Sequence, residues 1–285
     1  MSFLQQRIQV LAGSYSRSVA KLKREISPKS VHHLRTTIRR VESLIDYVRP
    51  ELGKKQRKAL KDLSSLRRRA GRVRDLDVQA GLLDAIANGS TAADRRTLKD
   101  LLLRKRERQA RRLAAAAGKL RTPRLVAWIK TSLIAEDASP NAAGETAHPL
   151  DQATAGLAKL AMKLQSTELK PKRLHEVRIK LKRIRYLAEI AEDSPSQAHF
   201  LEQMKSVQDA IGEWHDWETL AKTAEELFGD RMNCALLMEI QSLFSARYSA
   251  AVSSVARLLA HYAPPAARKQ PRSAGKEQTA HQSAS

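Results

Sequence analysis

Residues 31–48, VHHLRTTIRRVESLIDYV, and residues 174–191, LHEVRIKLKRIRYLAEIA, read as two versions of one helix set 143 positions apart. The alignment pairs Val31 with Leu174, His32 with His175, Leu34 with Val177 and Arg35 with Arg178. It continues through Ile38 and Leu181, Arg39 and Lys182, Arg40 and Arg183, and Val41 and Ile184. In the first copy Val31, Leu34, Ile38, Val41, Ile45 and Val48 alternate steps of three and four, which lays them on one helix face as a core stripe. One residue further on runs a second stripe of His32, Arg35, Arg39 and Glu42. The second copy repeats both: Leu174, Val177, Leu181 and Ile184 for the core, and His175, Arg178, Lys182 and Arg185 beside it. Each copy thus carries basic groups along the edge of its apolar seam, flanked by Arg40, Lys180 and Arg183.

A second match follows downstream. LRRRAGRVRDLD (66–77) aligns with VQDAIGEWHDWE (207–218), pairing Gly71 with Gly212, Asp75 with Asp216 and Asp77 with Glu218. Two motifs in the same order and at nearly the same separation argue for a duplicated helical unit. Two copies of one unit commonly pack about a twofold-like axis, which brings equivalent faces together. The expected fold is all-α, with two similar antiparallel helical bundles related by a pseudo-twofold axis.

The rest of the chain fits that frame. Apolar residues recur at helical spacing almost throughout, and alternating strand patterns are absent. Helices are expected over about 3–26, 28–48, 54–87, 90–118, a short stretch from 122, 150–166, 171–192, 196–228 and 231–262. Breaks fall at Ser27-Pro28, Arg49-Pro50, Asn88-Gly89, Lys170-Pro171, Ser194-Pro195 and Gly229-Asp230. The domain reading is residues 1–135 as the first bundle, 136–149 as a linker, 150–263 as the second bundle and 264–285 as a disordered basic tail.

Charge is distributed unevenly. Residues 1–135 carry 33 Lys and Arg against 11 Asp and Glu, whereas residues 136–263 carry 15 against 18. So positive a half repels itself unless an anion lies against it, which implies an acidic partner. Eight of the 15 cations of the second half lie in 170–185, where only Glu176 offsets them. A randomly solvated face would mix signs to gain i,i+4 pairs. In the first half the basic field continues through KKQRKALK (54–61), LRRR (66–69) and GRVR (71–74).

Other residue types narrow the chemistry. Asp75 and Asp77 are expected to pair with neighbouring Arg side chains; a magnesium site is the sharper alternative. His32 and His175 read either as satisfied histidines beside a core or as donors to an anion. The single cysteine, Cys234, reads as a small buried apolar residue, and a reducing compartment fits. With no H-x₃-H or CxxC spacing, neither a metal nor a cofactor is expected. The N-terminus lacks a signal-like apolar run and no stretch approaches the roughly 20 apolar residues of a membrane span, so a cytoplasmic soluble protein is expected.

These motifs resemble those of the CHAD family, the conserved histidine α-helical domain. The resemblance lies in the HxxR-plus-basic pattern of both repeated helices, with GRVRDLDV and VQDAIGEWHDWETL as the distal pair, and spans roughly residues 1–262. It implies two similar helical bundles whose basic residues line a central cavity that binds inorganic polyphosphate. By motif position the implied binding residues are His32, Arg35, Arg39 and Arg40, then His175, Arg178, Lys182, Arg183 and Arg185, with Lys180 flanking them. Thr36, Thr37, Glu42 and Ser43 make the first repeated helix less basic than the pattern, and the second distal motif is also less basic than the first. Affinity is therefore expected to lean on Arg67, Arg68, Arg69, Arg72 and Arg74. The triphosphate-processing domain with ExExK that often accompanies the family is not found in this sequence.

Polyphosphate suits this pattern because it is a dense, flexible anion without bases; it asks for rows of Arg forks and Lys point charges. Binding to nucleic-acid backbone is the rival reading. Single-strand binders need stacking platforms, yet Trp128, Trp214 and Trp217 fall at core spacings and only Tyr186 accompanies a basic stripe. No Walker loop appears, nor paired-carboxylate metal spacing beyond Asp75 and Asp77, so no enzyme is expected. Association with polyphosphate granules is compatible with binding.

Overall fold

Proline sets the start of four helices. The computed structural model begins α2 (Pro28–Val48), α6 (Pro149–Leu164), α7 (Pro171–Ala188) and α8 (Pro195–Phe228) on this residue. Its fixed φ suits the first turn, where the missing N–H would have no intrahelical partner anyway. The remaining helices are α1 (Phe3–Arg24), α3 (Lys54–Ala85), α4 (Ala92–Lys119), α5 (Thr122–Ile134) and α9 (Ala235–Tyr262). The structure describes residues 3–48, 53–86, 91–120, 122–134, 148–165 and 168–263; among them there is no strand. The breaks expected at Arg49-Pro50 and Asn88-Gly89, most of the 136–149 linker and the whole 264–285 tail lie outside the described residues.

Two helix ends differ most from the sequence reading. The last helix starts at Ala235 rather than at 231, because Asn233 adopts φ 59°. Asn tolerates this left-handed conformation better than most residues, and it closes the 229–234 turn. Helix α7 stops at Ala188 rather than near 192. The chain turns inward, and the buried Gln197 amide donates to the carbonyls of Ala188 at 3.1 Å and Ala191 at 3.0 Å. Those carbonyls would otherwise lack partners at the helix end. Ile190, freed from the helix, is buried in the core of the first unit.

The two units share one plan. In the first, α1 packs on α2, α2 on α3, α3 on α4, and α4 back on α1; in the second, α6 through α9 repeat that circuit. Helix α5 is an addition to the first unit and packs on α1. Between the units, α2 touches α7 and α3 touches α8. Like helices meet like helices, the pattern that a pseudo-twofold relation produces.

Three cores hold this arrangement. One lies inside each unit, formed by the α2 and α7 stripes foreseen from the sequence. The third belongs to neither unit alone. It joins Leu83, Leu98 and Leu102 of the first to Trp217, Leu220, Phe228 and Ile240 of the second. Helices α3 and α8 have 32 and 34 residues. They are therefore about 50 Å long at roughly 1.5 Å per residue, and each passes from its own core into the shared one. The motifs 66–77 and 207–218 lie between those two anchors. Buried Gln79 reinforces the shared core by accepting from Thr223 Oγ1 at 3.0 Å.

Phe228 is fully buried in the shared core. Phe228→Ala should cost about 3–5 kcal/mol. Both units should still unfold together, with far-UV circular dichroism and tryptophan fluorescence tracing one urea transition. Two separated transitions in the wild-type chain would contradict a shared core.

Candidate anion-binding site

Where α2 crosses α7, the basic edges of the repeated helices turn towards one another. Arg35 interacts with Asp75, Arg39, Arg74 and Arg178. Lys182 interacts with Arg178, Arg39, Arg35 and Asp216, and Asp216 in turn with Arg74 and Asp75. Read through the repeat, three members face their own equivalents: Arg35 and Arg178, Arg39 and Lys182, and Asp75 and Asp216. The cluster is built twice over, once from each unit.

It is also short of negative charge. Arg35, Arg39, Arg74 and Arg178, joined by Lys182 when it is protonated, are balanced locally by Asp75 and Asp216, with Glu218 also acting on Arg178. Even the Arg35–Asp75 approach is loose, at 3.8 Å. The buried Nε atoms of Arg35 and Arg178 find no hydrogen-bond acceptor among the described residues. Burial pushes the Arg35 guanidinium down to about 10, with Arg39, Arg74 and Arg178 adding to the shift and Asp75 opposing it. Burial likewise lowers Arg178. Lys182 falls to about 6, through burial first and repulsion from Arg178, Arg39 and Arg35 next. Burial raises Asp216, against the pull of Arg178 and Arg74. The arginines stay charged at neutral pH, whereas Lys182, whose charge is suppressed by burial and by its neighbours, regains it when an anion enters.

A cavity of about 340 Å³ opens beside the cluster between α2, α3 and α7. Arg39, Arg67, Arg178, Lys182, Arg183 and Tyr186 line it. Arg39 Nη1 donates to Tyr186 Oη at 3.4 Å across the unit boundary. Further along α2 from Arg39 the lining turns acidic, with Glu42 and Asp46. Glu42 accepts from Ser64 at 2.6 Å and pairs with Arg67 at 2.7 Å. Asp46 is raised by burial and then by Glu42, while Arg183 pulls it down.

The structure sorts the sequence candidates. It gathers Arg35, Arg39, Arg74, Arg178 and Lys182, with His32 exposed at the edge and influenced by Arg74, Arg35 and Arg39. Arg67 and Arg183 reach the adjoining cavity. Arg40 and Arg185 turn the other way, where Glu189 holds both, at 2.7 Å and 3.0 Å. Lys180 is exposed near Glu176, and Arg68 and Arg72 are exposed on α3. His175 does not mirror His32. Its Nε2 lies 2.8 Å from Glu218 Oε2, and its ring packs on Trp214 at 4.7 Å. Asp77, the counterpart of Glu218, pairs instead with Arg106 Nε at 2.7 Å.

By alignment with Arg74 the sequence makes His215 a donor rather than a metal ligand, and it pairs Asp216 with Asp75, but the low Arg content of VQDAIGEWHDWE leaves both outside the expected binding residues. His175, His215 and Glu218 bring three potential metal-ligand atoms within 4.8 Å of one another, a grouping the one-dimensional spacing did not reveal. Here Glu218 is engaged by His175 and by Lys222 at 2.9 Å. Burial, then Arg178, hold His215 down to about 4, so it is neutral at physiological pH.

Residues 9–225 match the family model described as the CHAD domain. Two solved structures share the fold along nearly the whole chain. The crystal structure of the CHAD domain from the plant Ricinus communis covers 90% of this chain and 91% of its own, with a TM-score of 0.66 and 20% identity. PptA from Streptomyces chartreusis covers 91% of this chain and 98% of its own, with a TM-score of 0.66 and 18% identity. No curated protein matches the sequence.

Replacing a half-buried cation inside a cationic cluster with an apolar isostere should stabilise the unliganded protein. Lys182→Met is expected to raise Tm by several degrees. Between its depressed value of about 6 and its ordinary 10.5, Lys182 binds a proton more readily in the unfolded chain, so the wild type loses stability as pH falls through that window. The gain from the substitution should therefore be largest near pH 6 and fade towards pH 10. A lower Tm at pH 6 would contradict the charge surplus.

Proposed function

Because the chain belongs to the CHAD domain family, we propose that it binds inorganic polyphosphate across the seam between its two helical units. The observation that carries this reading is the surplus of Arg35, Arg39, Arg74, Arg178 and Lys182 over Asp75, Asp216 and Glu218 in one part-buried cluster. Arg forks would take phosphate oxygens in pairs, and the unsatisfied Nε atoms of Arg35 and Arg178 would gain acceptors. Lys182 would take up a proton as the anion enters, restoring a point charge beside the chain. His32, Arg67 and Arg183 would meet the polymer where it leaves the cluster, and the Glu42 and Asp46 wall would turn it away from one side. The reading is of a binder that leaves its ligand intact, in the cytoplasm and at polyphosphate granules.

No helix among the described residues is long and apolar enough to cross a membrane, which agrees with a ligand met in water.

Binding and turnover measurements test this. Arg39→Ala with Arg178→Ala should weaken polyphosphate binding about 100-fold or more, at roughly 1.5–3 kcal/mol per charge-assisted contact. Unchanged affinity would move the site elsewhere, and tighter binding of duplex DNA at matched charge would favour the nucleic-acid reading.

Affinity should also fall steeply with salt, the log–log slope shrinking by roughly 0.7–0.9 for each phosphate contact removed. It should rise as pH falls from 8 to 6, by at most about tenfold per unit for one proton taken up, and Lys182→Arg should remove most of that rise. Salt-insensitive binding would exclude the electrostatic mechanism. Incubation with magnesium should release no orthophosphate; release would show turnover.

A further inference from the structure

The central cluster uses only part of the first unit's charge. A second cavity, of about 420 Å³, lies on the other side of α3, in its groove with α4. Its rim carries Arg69, Arg112 and Lys119 against the single carboxylate Asp62, and Ala115 and Ala116 keep its floor low. Arg104 and Arg108 extend the exposed basic face along α4.

Helix geometry links the two cavities. At about 100° per residue, the successive arginines of LRRR step round α3. Arg67 lines the central cavity and Arg69 lines the outer groove. Arg68 is exposed on the crest between them, joined there by Arg72 and Lys61. Cationic groups therefore follow the solvent side of the helix from one cavity to the other.

The repeat supplies an internal comparison. Its inward positions keep their character, Asp75 with Asp216 and Asp77 with Glu218. On the crest the sign reverses: Lys61, Arg68 and Arg72 align with Glu202, Asp209 and Glu213, which are also exposed. One outer face of the molecule attracts anions and the equivalent face repels them.

We propose that the α3–α4 groove is a second polyanion site, into which a long polyphosphate chain passes over the α3 crest after filling the central cluster. This rests on the central reading and adds a direction: the polymer leaves towards the first unit and not the second. Long chains should therefore bind more tightly per molecule than short ones, through two linked segments on one protein.

The test uses the full chain carrying Arg108→Glu, Arg112→Glu and Lys119→Glu, with tripolyphosphate and long-chain polyphosphate as probes. All three residues are exposed, and circular dichroism melting checks that the fold is kept. Tripolyphosphate affinity should equal that of the wild type, while long-chain affinity should drop about tenfold or more. Equal long-chain affinity in variant and wild type would overturn the outer site and leave the central one standing. Loss of tripolyphosphate binding in this variant, with none in Arg39→Ala/Arg178→Ala, would overturn the central reading instead. If duplex DNA outcompetes long-chain polyphosphate in the wild type but not in the variant, the groove takes nucleic acid and the proposed occupant is wrong.

Discussion

Repulsion among Arg35, Arg39, Arg178 and Lys182 is the constraint around which the molecule is organised. Left to themselves, α2 and α7 would not bring these edges together, since like charges in a low-dielectric seam oppose contact. The framework has to hold them. Part of that work falls to the apolar stripes Val31–Ile45 and Leu174–Ile184, which bury each helix in its own unit. Part falls to ion pairs across the boundary, away from the cluster: Arg7 with Asp193 at 2.8 Å, Arg40 with Glu189 at 2.7 Å and Arg231 with Asp94 at 2.8 Å. The shared core clamps the far ends of α3 and α8. Strain of this kind is commonly found where a ligand is meant to relieve it.

Duplication gives the site its symmetry, and substitution within the copies breaks it. Arg35 and Arg178 remain the same residue. Arg39 becomes Lys182, whose charge responds to its surroundings as a guanidinium does not. Arg74 becomes His215, held neutral. Beside the shared pair Arg35 and Arg178, the first unit thus adds permanent charge in Arg39 and Arg74, and the second adds Lys182 and His215, whose charge depends on their surroundings. Asp77 is committed to Arg106, which also donates to the Ile26 carbonyl at 2.8 Å, so it braces α3 against α4 and the end of α1. Its counterpart Glu218 instead steadies His175 beside Trp214.

Much of this was legible in one dimension, for definable reasons. The 3-4 spacing of Val31, Leu34, Ile38 and Val41 fixes which face of α2 is buried, and hence where Arg35 and Arg39 point. Alignment of the copies then sets which residues meet. What could not be read depends on partners distant in sequence. Arg40 and Arg185 carry the same local signature as Arg39 and Lys182, and only the fold shows that Glu189 lies between them. The Trp217, Leu220 and Phe228 face is visibly apolar, but nothing local says that Leu83 and Leu98 of the other unit cover it. The Asn233 turn depends on a backbone conformation that the helical pattern of 231–262 conceals.

The shared core also bears on how the chain is made. During synthesis the first unit emerges whole, with Leu83, Leu98 and Leu102 in place but without the residues that cover them. They must wait until Trp217 to Phe228 have left the ribosome, more than a hundred residues later. Until then a nascent chain carries an open apolar flank at the tip of an otherwise closed bundle, the kind of surface on which chaperones act and incomplete chains aggregate. Its early contacts are local, and its last are among the longest-range in the molecule, so docking of the α8–α9 tip is the natural final event of folding.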